Sequence, residues 1–169
     1  ELFNIYVQAY PKYGSEKKGL PTTYYLTVAE KHIRTHSELA HVEFIPLNDV
    51  NAFNLGNPLD GIADEGSIFI QSPETDPQRV WDHIPAYGQK LIRNKRLKVF
   101  YLDTVKIAKE IATDPDLQQR MQGVCLVGIF IRVTPFASRA GMGDEQVLGA
   151  VEKYIRKYFG KRGEHVVQE

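Results

Sequence analysis

The 169 residues suit one domain with a sizeable core, and 43% hydrophobic with 25% charged residues describes an ordinary globular chain. With 21 basic and 21 acidic residues the net charge is zero, so no global field draws it to nucleic acid or an anionic membrane, and any anion binding has to be local. The lone Cys125 excludes a disulfide framework, a cysteine-held zinc and an iron–sulfur cluster carried by this chain alone. A reducing cytoplasm fits such a chain, and the longest apolar run, Val124 to Ile131, falls far short of the ~20 residues of a membrane span.

Leu2 to Tyr10 alternates apolar and polar residues and predicts a strand. A turn-rich segment with adjacent Lys17 and Lys18 follows, and then a second strand, Thr22 to Val28. His41 to Leu47 predicts a third, with Pro46 near its end. Asn48 to Gly56 reads as a short capped helix, and DGIADEG as turns leading into the short apolar strand SIFIQS. Asp76 and Pro77 open a helix carrying Val80, Trp81 and Ile84 on one face, which Pro85 ends before a second short helix. LKVFYL, Leu97 to Leu102, is the next strand, and Asp103 or Thr104 caps VKIAKEIA. Asp114-Pro115 restarts the chain into a long helix, apolar on most faces in its second half and therefore expected to be central and buried. The last helix, Asp144 to Phe159, places Val147, Val151, Ile155 and Tyr158 on one stripe and stops at Gly160. Strands alternating with helices predict a single α/β domain: a mostly parallel central sheet in a three-layer α/β/α arrangement.

Few residues suggest chemistry. The glycine-bounded lysine pair suits a phosphate or carboxylate, or is an exposed hydrated bend; it opens no helix, so it is neither a Walker loop nor a dinucleotide fingerprint. His32, His36 and His41 lack a ligand pattern and read as unrelated surface histidines. Asp60, Asp64 and Glu65 read as turn residues rather than an acid cluster. Asp103 stands at the carboxyl end of a strand, where open α/β sheets bind ligands, but is equally explained as a helix cap. Gln118, Gln119 and Gln122 either line a polar cleft or form the wet end of the long helix. No Ser/His/Asp or Cys/His set has a distinctive spacing.

Taken together, the YGSEKKGLPT loop, LDGIADEGSIFIQS, VWDHIP, KVFYLDTVKIAKE, LQQRMQGVCLVGIF and KYFGKRGEHVVQ resemble, in order and over nearly the whole chain, the gamma subunit or gamma domain of 2-oxoacid:ferredoxin oxidoreductases. The resemblance implies an α/β/α domain inside a larger assembly that converts a 2-oxoacid such as pyruvate reversibly to an acyl-CoA and passes electrons to ferredoxin. It implies that thiamine diphosphate is held by catalytic partner subunits and the [4Fe-4S] clusters by a ferredoxin-like one, with this chain a non-catalytic component holding neither. It further implies that Lys17 and Lys18 approach the phosphates of coenzyme A, with Ser15 and Gly19 shaping the loop and Gln118 facing the same cleft. A scaffold without ligand contact, as in an oxalate- or 2-oxoglutarate-acting relative, is the rival. Two departures stand out: the glycine-rich G-x-G-G-Q-G segment that usually opens gamma chains is absent, and Gly19-Leu20 stands where the family often has Gly-Gly. Residues 1–169 thus read as a single gamma-type domain lacking its N-terminal glycine-rich segment, and Glu1 suggests a piece of a larger protein.

Overall fold

The computed structural model describes residues 5–12, 22–112 and 114–160. Two strands, β1 (Tyr6–Lys12) and β2 (Thr23–Ala29), form an antiparallel hairpin in continuous register from Tyr6 opposite Ala29 to Lys12 opposite Thr23. This pair stands apart from the main sheet, contrary to the expectation that every strand joins one sheet. The main sheet is parallel, in the order β3 (Val42–Leu47), β4 (Ile62–Gln71), β5 (Lys98–Leu102). The helices are α1 (Pro77–Asp82), α2 (Ala86–Asn94), α3 (Thr104–Ile111), α4 (Pro115–Val133), α5 (Phe136–Arg139) and α6 (Asp144–Phe159).

β4 is the central strand, and its run Gly66–Ile70 is buried on both faces, as a parallel strand covered from two sides must be. Pleating sends Ile45, Leu47, Ile68, Ile70, Val99 and Tyr101 to one face, where the 3-10 turn Val50–Asn54, α1, the link after it and α2 bring Phe53, Val80, Ile84 and Ile92 against them. Each such fully buried side chain contributes about 1.5–3 kcal/mol. The opposite face carries Phe44, Phe69 and Phe100, with α4 crossing at Phe130, whose ring lies 5.9 Å from that of Phe44. A second core joins α3, α4 and α6 through Ala108, Ala112, Leu117, Met121 and Phe159. The expected mixed α/β fold with a parallel sheet and helices on both sides is therefore present.

Several boundaries differ from expectation for physical reasons. The Asn48 to Gly56 helix is a 3-10 turn, with Asp49 accepting from the Asn51 N–H. DGIADEG is not all turn, because β4 already starts at Ile62. Glu65 sits there at φ 61°, and its N–H donates to the Lys95 carbonyl at 2.7 Å, so a kinked strand entry is docked onto the turn before β5. The apolar half of α4 is not enclosed: Leu117 and Met121 are buried, whereas Val127 is 42% exposed, since α3 and α6 pack on the first half of the helix. On α6 the buried stripe ends at Phe159 rather than Tyr158, which is exposed; Val147, Val151, Ile155 and Phe159 keep the strict four-residue step.

Candidate functional site

The carboxyl ends of the three parallel strands open on a cleft of about 200 Å³. Asn48 stands just beyond β3, β4 contributes Phe69 and Gln71, and Thr104 is the first residue of α3. The far wall is one face of α4, Gln119, Gln122, Gly123 and Leu126, at the three- and four-residue steps that place side chains on a common helical stripe. A cleft beyond the strand ends is where open α/β sheets accept ligands.

Gln71 organises the floor. Its Nε2 donates to Asp103 Oδ1 at 3.0 Å, while its Oε1 accepts from the Thr104 N–H at 2.8 Å and from the Thr104 hydroxyl. Asp103 Oδ1 also accepts from the Lys106 N–H at 3.0 Å, capping α3. That backbone N–H, helped by the Gln71 amide, holds the Asp103 carboxyl below its ordinary value. Asp103 is thus a helix cap, as one of its two readings expected; it does not itself line the cleft and touches it only through the Gln71 amide.

The lining consists of neutral amides, one hydroxyl and apolar surface. It can orient a polar ligand by hydrogen bonds, and the Thr104 hydroxyl is already committed to Gln71 rather than poised beside a base. Among the described residues no group of three His, Cys, Asp or Glu side chains could hold a metal ion. Asp64 and Glu65 face cations instead: Lys95 Nζ lies 3.6 Å from Asp64, and Arg96 Nη2 lies 2.8 Å from Glu65. His32 is engaged edge-on with the Tyr6 ring. Burial pushes the Cys125 thiol up, away from the thiolate that a nucleophile or metal ligand would need.

Ser15, Lys17, Lys18 and Gly19 lie outside the described residues. Gln118 begins α4 as expected, and its Nε2 donates to the Ala112 carbonyl at 3.2 Å, closing the corner between α3 and α4. Its neighbours Gln119 and Gln122 line the cleft. Sequence reading missed Asn48, Gln71 and Thr104; the available signal was a polar residue ending the buried run IFIQ at the carboxyl end of a parallel strand.

A family model described as pyruvate ferredoxin/flavodoxin oxidoreductase matches residues 2–169. The pyruvate-flavodoxin oxidoreductase of Trichormus variabilis is 29% identical over 168 residues, a stretch covering 99% of this chain and 13% of that protein. The gamma subunit common to the pyruvate and ketoisovalerate oxidoreductases of Pyrococcus furiosus is 24% identical over 106 residues, covering 63% of this chain and 52% of that subunit. The crystal structure of pyruvate oxidoreductase subunit PORC from Thermotoga maritima superposes with a TM-score of 0.61 at 19% identity, covering 98% of this chain and 74% of that one, and so shares the fold. The chain spans about an eighth of the length of the pyruvate-flavodoxin oxidoreductase it matches. It belongs to the pyruvate ferredoxin/flavodoxin oxidoreductase family.

Proposed function

We propose that this chain is the accessory gamma part of a thiamine-dependent 2-oxoacid:ferredoxin oxidoreductase, supporting assembly and the coenzyme A side of the active site. The observation that carries this reading is the family match along residues 2–169, shared with relatives that hold the same stretch either as a subunit or as a small part of a larger oxidoreductase. Partner subunits or domains hold thiamine diphosphate and the [4Fe-4S] clusters, ferredoxin takes the electrons, and the complex works in the cytoplasm. Among the described residues no helix is long and apolar enough to cross a membrane. Residues 1–169 form a single gamma-type domain. The chain breaks no bond by itself; Lys17 and Lys18 neutralise coenzyme A phosphates, Ser15 and Gly19 shape their loop, and Gln118 faces the same ligand.

A second reading, an assembly scaffold without ligand contact, is favoured by one observation: the Gln118 amide is already spent on the Ala112 carbonyl. Charge reversal, Lys17→Glu with Lys18→Glu, separates the two. Loss of two charge-assisted contacts raises the coenzyme A KM about tenfold or more with the complex intact. A complex that falls apart while KM in the residual assembly stays unchanged supports the scaffold. Native mass spectrometry with metal analysis of the purified assembly comes first, because a chain without thiamine- and iron–sulfur-bearing partners would sink both readings.

A further inference from the structure

Helix α3 starts at the cleft with N–H groups of its first turn already taken. The Thr104 N–H is bonded to Gln71 Oε1, and the Lys106 N–H to Asp103 Oδ1. A helix start at the strand ends of an open α/β sheet ordinarily meets an anion; here protein oxygens hold that place. The Asp103 carboxylate, kept ionised chiefly by the Lys106 N–H with help from the Gln71 amide, stands one hydrogen bond behind the floor. Among the described residues no charged side chain lines the cleft. A phosphate entering it would lose hydration and meet no cation.

The groups left over are neutral. Asn48, Gln119 and Gln122 border the cleft, and none of their side-chain amides makes a hydrogen bond among the described residues. A primary amide both donates and accepts, so another amide is its natural complement. The Thr104 hydroxyl gives its proton to Gln71 and keeps a lone pair to accept with. Phe69 and Leu126 add apolar surface. Gly123 is exposed on the α4 wall, and a Cβ there would meet nothing within 4 Å. Glycine weakens a helix interior, and no packing inside this chain requires it at this point; a ligand lying close against the helix gives it a use.

We propose that this cleft takes an uncharged, amide-bearing chain, the pantetheine arm of coenzyme A, and turns the phosphates of that molecule away. The arm offers two secondary amides, a hydroxyl and aliphatic carbon with no charge, matching free amides beside apolar walls. The inference rests on the functional reading that puts this chain on the coenzyme A side. It deepens that reading by dividing the ligand, with lysines for the phosphates and neutral amides for the arm.

The test uses the purified assembly and two inhibitors competing with coenzyme A. S-methylpantetheine carries both amides and no phosphate; adenosine 3′,5′-bisphosphate carries phosphates and no amide. Two variants probe the cleft: Gln119→Leu with Gln122→Leu, which removes the amides, and Gly123→Leu, which fills the space beside α4 with a good helix former. Each is expected to raise the Ki of S-methylpantetheine about tenfold or more and to leave that of adenosine 3′,5′-bisphosphate unchanged. An unchanged Ki for S-methylpantetheine in either variant, an equal rise for both inhibitors, or no inhibition of the unsubstituted assembly by S-methylpantetheine overturns the proposal. The functional reading fails separately, through a bisphosphate Ki that Lys17→Glu with Lys18→Glu leaves unmoved.

Discussion

Gln71 and Thr104 are joined twice, the Thr104 N–H and hydroxyl both donating to the one Gln71 Oε1. Thr104 is 6% exposed, so without Gln71 its donors lose their partner where water has little access. Gln71→Ala is expected to cost about 1–3 kcal/mol in denaturant unfolding, the penalty of stranding buried polar groups. A loss within error of zero would mean that water replaces the amide.

Asp103 gives this corner a pH dependence. Its carboxyl is held below the ordinary value of 3.8, chiefly by the Lys106 N–H, so its stabilisation is complete above that value and is lost as pH falls through the lowered folded value. Asp103→Ala is therefore expected to cost about 1 kcal/mol at neutral pH and progressively less below about pH 4. Chemical unfolding of both proteins at several pH values checks the convergence.

Two glycines should respond oppositely to the same substitution. A Cβ on Gly66 would lie 2.9 Å from the Ala63 carbonyl oxygen and 3.1 Å from that of Glu43, backbone atoms that cannot swing away. Gly66→Ala is expected to destabilise by about 1–3 kcal/mol. Gly149, inside α6 with open space where its Cβ would go, should gain about 0.5–1 kcal/mol on replacement by Ala. Thermal melts of the two variants should move in opposite directions.

At Glu65 the left-handed backbone, φ 61°, sets the preference. Glu65→Ala and Glu65→Gly both remove the pair with Arg96, so their difference isolates the backbone. The glycine variant is expected to be more stable by about 1 kcal/mol. Equal stabilities would show that the strand entry relaxes when its side chain is cut back.

Much of the fold was legible because local chemistry and final environment agree. Asp76, Asp103 and Asp114 cap the helices their positions announce, and α6 runs between the predicted limits, since a four-residue apolar step and a terminal glycine leave little choice. The start of β4 was hidden: Asp64, Glu65 and Gly66 look like turn residues, while their strand is set by pairing with β3 and by Lys95 and Arg96, some 30 positions on from Asp64 and Glu65. The cleft was half legible. The glutamine run on α4 suggested a polar wall, but separating Gln118, turned to Ala112, from Gln119 and Gln122 required the position of the helix. Gln71 acquires its partners through the parallel register of β4 and β5, a long-range relation that no local pattern carries.

The hairpin of β1 and β2 has an ion pair, Lys12 with Glu38, and a ring contact, Tyr6 with His32, that reach the link following it. Tyr6, Val7, Tyr24 and Leu26 are all exposed on it. A two-stranded ribbon is marginal in water without a covering layer. The chain is thus built in two tiers of cooperativity. On warming, the hairpin should open as its own unit while the parallel sheet persists, so β1 and β2 can be reshaped, or captured by a neighbour, without the rest of the domain having to unfold.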